Sequence, residues 1–272
     1  MSNMRIAVYI GKEEAAGCSR VQEMLARLED SGVSLYPVAG GQSIEPGTDL
    51  LMSVGGDGTF LTASILVAQL GIPVVGVNLG RLGFLSENRP EDLGEALLAG
   101  DYSIEERAML RAVLKDEAQK ESYALNEITV HRSGAAMLAV DVDIDGVTLP
   151  TYWADGLIVS TSSGSTAYSL SAGGPIVLPD SKVLIITPIA PHNMNVRPLV
   201  IPDTSRISLR VRSRDNEVIY TSDNRSQKIE EGSELEISLA QFSLKRVRLN
   251  KSDFINALTQ KLYWGEDVRN SK

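Results

Sequence analysis

Two strings in this sequence carry enough chemistry to be read on their own. The first is Gly55-Gly56-Asp57-Gly58-Thr59, which follows the apolar run DLLMSV at 49–54 and opens an apolar stretch at 59–70. Glycines at such a turn let a ligand approach the main chain closely. A helix N-terminus adds unpaired N–H groups and a partial positive charge. Gly55, Gly56, Gly58 and Thr59 are therefore candidate phosphate contacts. Asp57 is the odd member, because a carboxylate repels a phosphate by about 1 kcal/mol at 4 Å even in water. Its presence makes sense if it meets a metal ion or takes a proton from an attacking hydroxyl. The plainer alternative is a tight turn in which Asp57 or Thr59 caps the helix.

The second string is DGLIVSTSSGSTAYSLS at 155–171. An apolar strand runs into a hydroxyl-rich loop with Gly164 inside it. Hydroxyls and loop N–H groups suit adenine, ribose or phosphate, and Tyr168 is able to stack on a base. The alternative is a capped Ser/Thr loop leading to the turn Gly173-Gly174-Pro175. Asn126-Glu127 offers an amide and an acid to a ribose or base, or is a solvated strand end.

Other strings exclude chemistry. Asp141-Val142-Asp143-Ile144-Asp145-Gly146 imitates a calcium loop, but its twelfth position is Tyr152 and the bidentate acid is missing. The alternation there predicts a strand with a hairpin turn at Asp145-Gly146. His131 and His192 lack metal-ligand spacing. The Walker A, G-x-G-x-x-G, protein-kinase and G-x-S-x-G strings are absent.

The elements that must hold these residues form two patterns. Up to about residue 104, strands and helices alternate: strands at 5–10, 34–38, 49–54 and 72–77, helices at 19–31, 59–70 and from Pro90 to Gly100. Nearly continuous apolar strands alternating with helices predict a Rossmann-like parallel α/β sheet. Short strands follow at 109–114, 122–132, 137–144, 156–161, 182–188, 206–211, 217–221, 234–239 and 244–249, which predicts an all-β, sandwich-like second half. A terminal helix is expected at 252–264, with Ser252 as its cap. The domains expected are thus 1–104 and 105–250, with a C-terminal helix and tail at 251–272 returning to the first domain and the site between the two domains.

The chain has 272 residues, 26 Lys+Arg against 35 Asp+Glu, a net charge of −9 and one cysteine. That acidity argues against a nucleic-acid partner and against an anionic membrane. Cys18 alone forms neither an internal disulfide nor a cysteine metal cage, and no apolar stretch approaches the ~18 residues of a membrane span. A cytoplasmic location is expected.

These residues resemble the NAD kinase family, in its bacterial form. The matching parts are Gly55-Gly56-Asp57-Gly58-Thr59, Asn126-Glu127, the string at 155–171, Gly173-Gly174-Pro175-Ile176, Pro191-His192 and Arg197-Pro198. The GGDGT string is shared with diacylglycerol and sphingosine kinases; GSTAYSLSAGGP is the specific part. The resemblance implies transfer of the ATP γ-phosphate to the 2′-hydroxyl of the adenosine ribose of NAD, with Mg²⁺, and Asp57 as the base or metal-linked acid. It implies NAD contacts from Asp57, Gly58, Asn126, Glu127, Asp155, Ser163, Thr166, Ala167, Tyr168, Ser171 and Asn224, and donor contacts from Gly55, Gly56, Gly58 and Thr59. It also implies a homodimer or homotetramer whose sites borrow residues across subunits. The sequence departs from the family at Trp153, where an Arg is common, at Ser162-Ser163 in place of Pro-Thr, and at Ser222-Asp223-Asn224. A lipid kinase of the same superfamily and a non-catalytic dinucleotide-binding protein are the alternatives.

Overall fold

The apolar run RIAVYI forms the first strand, β1 (Arg5–Ile10). It is followed by α1 (Glu13–Ala16), α2 (Ser19–Asp30), β2 (Ser34–Val38), β3 (Leu50–Val54), α3 (Asp57–Val67), β4 (Val74–Val77), α4 (Pro90–Ala99) and β5 (Tyr102–Arg107). The computed structural model describes residues 4–80, 83–115, 119–249 and 254–262. β3 and β4 are buried at every residue, as strands covered on both faces must be. α2 turns Val21, Met24 and Leu28 into the core. α4 begins with Pro90, whose missing N–H is no loss in a first turn, and stops at Gly100, which takes the left-handed φ of 68°.

β2, β1, β3 and β4 lie side by side in that order, all parallel. The chain leaves β1 for β2 on one side and returns to β3 on the other. The carboxyl ends of β1 and β3 therefore make a topological switch point, the place where open α/β sheets receive ligands.

The next unit, Arg107–Ser243, is contiguous in sequence. Its strands are β6 (Leu110–Leu114), β7 (Glu121–Ala124), β8 (Glu127–Arg132), β9 (Leu138–Ile144), β10 (Val147–Thr148), β11 (Tyr152–Ala154) and β12 (Gly156–Thr161). A 3₁₀ turn (Ser163–Thr166) and α5 (Tyr168–Ser171) come next. Then follow β13 (Val183–Ile189), β14 (Leu199–Pro202), β15 (Ile207–Arg212), β16 (Glu217–Ser222), β17 (Arg225–Glu230) and β18 (Glu234–Leu239). They form two antiparallel sheets, ordered β10-β9-β15-β18-β6-β7 with β11 beside β9, and β14-β13-β12-β8-β16-β17. Val140, Leu209 and Leu235 of one sheet share a core with Val130, Val159 and Ile186 of the other, which is sandwich packing. The acidic string at 141–146 is β9 and a hairpin turn: Asp145 and Gly146 take φ of 52° and 84°. Asp143 Oδ1 accepts the Gly146 N–H at 2.8 Å.

Two expectations are corrected. The strand expected at 122–132 is two strands, β7 and β8, which belong to different sheets. Between them the N–H groups of Leu125, Asn126 and Glu127 leave the ladder and donate to the Asp223 carboxylate at 2.8, 2.8 and 3.2 Å. The strand at 244–249, expected in the second domain, is β19 (Leu244–Leu249). It lies in the first sheet between β4 and β5, parallel to β4. There Val247 joins the first core, and Arg246 pairs with Glu87 at 2.6 Å. The first unit is therefore discontinuous, Met1–Glu106 plus Leu244–Lys272. The terminal helix, α6 (Phe254–Leu262), belongs to it and sets Phe254 against Phe84, ring centroids 6.2 Å apart. The proposed cap Ser252 lies outside the described residues.

Candidate active site

The glycine-rich turn sits at the switch point. Gly55, just past β3, takes φ of 152° and donates its N–H to Val77 O at 2.8 Å. A Cβ at Gly55, or at Gly11 just past β1, would overlap the Thr59 side chain. Thr59 is thus wedged between the ends of the two central strands and packs the turn. At Gly56 and Gly58 a Cβ would meet nothing, so that flank of the turn is open. Gly56 caps α3 and accepts the Phe60 N–H at 3.1 Å.

Asp57 is the first residue of α3 and is half-buried. Its carboxylate accepts three consecutive backbone N–H groups: Phe84 to Oδ2 at 2.9 Å, and Leu85 and Ser86 to Oδ1 at 3.1 and 2.8 Å. A carboxylate has about four lone-pair sites, so roughly one is left for another donor. Gly83 lies so close that a Cβ there would collide with the carboxylate.

In the second unit, Asn126 and Glu127 are buried where the chain changes sheets. Gly164 packs on the Asn126 main chain with no room for a Cβ, and Thr161 donates its N–H and hydroxyl to the same stretch. The Glu127 carboxyl is pushed up to about 8, first by burial and then by the nearby Asp223 charge; the Tyr168 N–H opposes the shift. Its Oε2 is buried with no hydrogen-bond partner among the described residues. Asp223 is raised in the same direction by burial, opposed by its three N–H donors.

The hydroxyls of 160–171 fall into two sets. Ser162 donates to Pro179 O at 2.8 Å, Ser165 to Val177 O at 3.2 Å, and Ser169 pairs with Thr187 at 2.8 Å. These hold the loop. Ser163, Thr166, Ala167, Tyr168 and Ser171, the proposed contacts, are half-buried or exposed. One proposed contact lies apart from them. Asp155 precedes β12 at the end where Gly156 faces His131, whereas Glu127 faces Ser160 at the other end. Strand rise puts the two acids roughly 15 Å apart. Asp155 is instead forked by Arg132, at 2.7 and 3.3 Å.

The family models now have a site to be read against. The ATP-NAD kinase N-terminal domain matches residues 9–100, and the ATP-NAD kinase C-terminal domain matches residues 125–249. The chain belongs to the NAD kinase family. An NAD kinase of Bacteroides fragilis is 44% identical over 226 residues, covering 81% of this chain and 78% of that one. An NAD kinase of Porphyromonas gingivalis is 36% identical and covers 97% of this chain and 99% of its own. Among solved structures, a yeast NADH kinase complexed with NADH superposes with a TM-score of 0.85 at 26% identity, covering 100% of this chain and 91% of that one. An NAD kinase from Archaeoglobus fulgidus in complex with ATP gives 0.74 at 30% identity, covering 91% and 95%.

Three participants escaped the sequence. Asp223 reaches the turn before Glu127, while its neighbour Asn224, the residue picked as an NAD contact, sits on the exposed turn between β16 and β17. A lone acid in a Ser-Asp-Asn turn gave no signal for this. Arg132 was hidden as a charged strand end. The amides of 84–86 are main-chain groups and carry no residue signature, although Gly83 beside them was a usable hint of close approach.

Proposed function

We propose that this chain moves the γ-phosphate of ATP onto the 2′-hydroxyl of the adenosine ribose of NAD, giving NADP and ADP. The observation that carries the reading is Asp57, an acid held by three N–H groups at a helix start whose Gly56 and Gly58 flank is open. Asp57 takes the hydroxyl proton as the 2′-oxygen bonds to the γ-phosphorus and the bond to ADP breaks. Gly56, Gly58 and the α3 N-terminus receive the donor phosphates, with Gly55 and Thr59 shaping the turn. Asn126, Glu127, Ser163, Thr166, Ala167, Tyr168 and Ser171 hold the adenosine, with Asn224, next to Asp223 on the turn between β16 and β17, as a further contact.

No group of three His, Cys, Asp or Glu side chains that could cage a metal occurs among the described residues. Mg²⁺ would suit such a chain when most of its ligands are donor phosphates and water, with Asp57 as the acid at the turn. It would neutralise charge on the transferred group.

The separation of Asp155 from Glu127 supports a homo-oligomer in which Asp155 serves the site of a second copy. No helix among the described residues is long and apolar enough to cross a membrane. A cytoplasmic location remains our reading of the single cysteine. Purified protein given NAD, ATP and Mg²⁺ should form NADP; absence of NADP with every donor tried, polyphosphate included, would refute the assignment.

A further inference from the structure

The loop that holds Asp57 is itself held at its start, by a residue far away in sequence. Lys261, on α6, donates from its ammonium to the Gly83 carbonyl and lies 4.5 Å from the centroid of the Phe84 ring. The Gly83 carbonyl and the Phe84 N–H belong to one planar peptide unit and point in opposite directions. One end of that peptide receives Lys261, and the other donates to Asp57 Oδ2 at 2.9 Å. Turning the carbonyl toward Lys261 therefore aims the N–H at the carboxylate. A cation on the carbonyl also polarises the peptide and strengthens the bond at its far end.

Charge fits the same arrangement. Burial lowers the Lys261 pKa, Arg246 lowers it further, and the Glu87 and Asp57 carboxylates oppose the shift. Arg246 is committed to Glu87 at 2.6 Å. Lys261 is thus a cation that answers the Asp57 side of the loop.

We propose that Lys261 is a positioning residue for Asp57, acting through the Gly83–Phe84 peptide. The proposal rests on the assignment of Asp57 as the base. The terminal helix then does more than cover the first unit: it aims the acceptor of the transferred proton.

The test compares Lys261→Met and Lys261→Arg in the full chain. Lys261→Met should lower kcat by roughly tenfold or more with KM for NAD changed little, since geometry at the reacting group is lost while the adenosine loops are intact. Lys261→Arg, which keeps the charge and a donor, should recover most of the turnover. Hydrogen exchange supplies a readout without turnover: the Phe84 amide should lose protection in Lys261→Met while amides of β12 keep theirs. Parent-like kcat and exchange in Lys261→Met, equal losses in both variants, or a loss explained wholly by unfolded protein in circular dichroism would each overturn the proposal. Asp57→Asn is the control. If it turns over normally, the role given to Asp57 fails, and the exchange measurement still decides whether Lys261 orients the peptide.

Discussion

Asp57, the base we propose, is one carboxylate with three N–H donors beside an open flank. Asp57→Asn should lower kcat by about 10²–10⁴-fold while NAD binding by calorimetry is kept, because the proton acceptor is removed, although the new NH₂ also faces a loop N–H that the carboxylate accepts. Gly83→Ala drives a methyl into that carboxylate. It should cost about 1–3 kcal/mol in urea unfolding, the usual range for overpacking, and reduce turnover with it. Glu127 makes a different prediction. Its carboxyl is raised to about 8 from an ordinary 4.5, so between those values the native state holds a proton that the unfolded chain releases. Stability from this residue is full below about 4.5, falls as pH rises and is gone above about 8. Glu127→Gln should flatten that part of the stability–pH curve; an unchanged slope would show that Glu127 is ionised in the native state. Asp57 and Glu127 both stand out as candidates in the sequence because each sits in a local string. Their partners do not: Asp57 meets residues 27 to 29 positions away, and Glu127 meets Asp223 across 96.

At the scale of elements, legibility followed locality again. β12 is buried throughout, and its run GLIVST was read with its observed limits. β17 was missed because RSQKIE buries only Ile229, leaving no alternation to see. β19 was found as a strand and placed in the wrong unit. LKRVRL states that it will extend, but not that Arg246 will meet Glu87, in the segment after β4, and Glu105, in β5. Arg246 is 6% exposed and Glu87 13%. Arg246→Met removes the ion-pair partner of the buried Glu87 carboxylate, while Glu105 keeps Arg248 at 2.7 Å, and should destabilise the chain by about 3–5 kcal/mol, measured by chemical unfolding at neutral pH.

For the whole molecule, the net charge of −9 sits oddly with two polyanionic substrates. In the reading we propose, the attraction is local: the α3 N-terminus, loop amides, and a cation brought in with the donor. Asp155 carries the prediction about assembly. If it completes a neighbour's site, Asp57→Asn and Asp155→Asn proteins, each inactive alone, should regain activity when mixed and allowed to exchange subunits. Mixtures no more active than their components would confine each site to one chain.

The return of β19 to the first sheet also sets an order of events during synthesis. The strands β1 to β4 leave the ribosome long before β19, the neighbour of β4, is made. The unit Arg107–Ser243 is continuous and has all its strands before β19 emerges. The later-encoded unit is therefore free to finish folding while the earlier one waits with an open sheet edge, inverting the usual N-terminal-first sequence. Newborn chains stalled just short of Leu244 should expose that edge to chaperones, and the loop that grips Asp57 should acquire its Lys261 contact only after α6 is released.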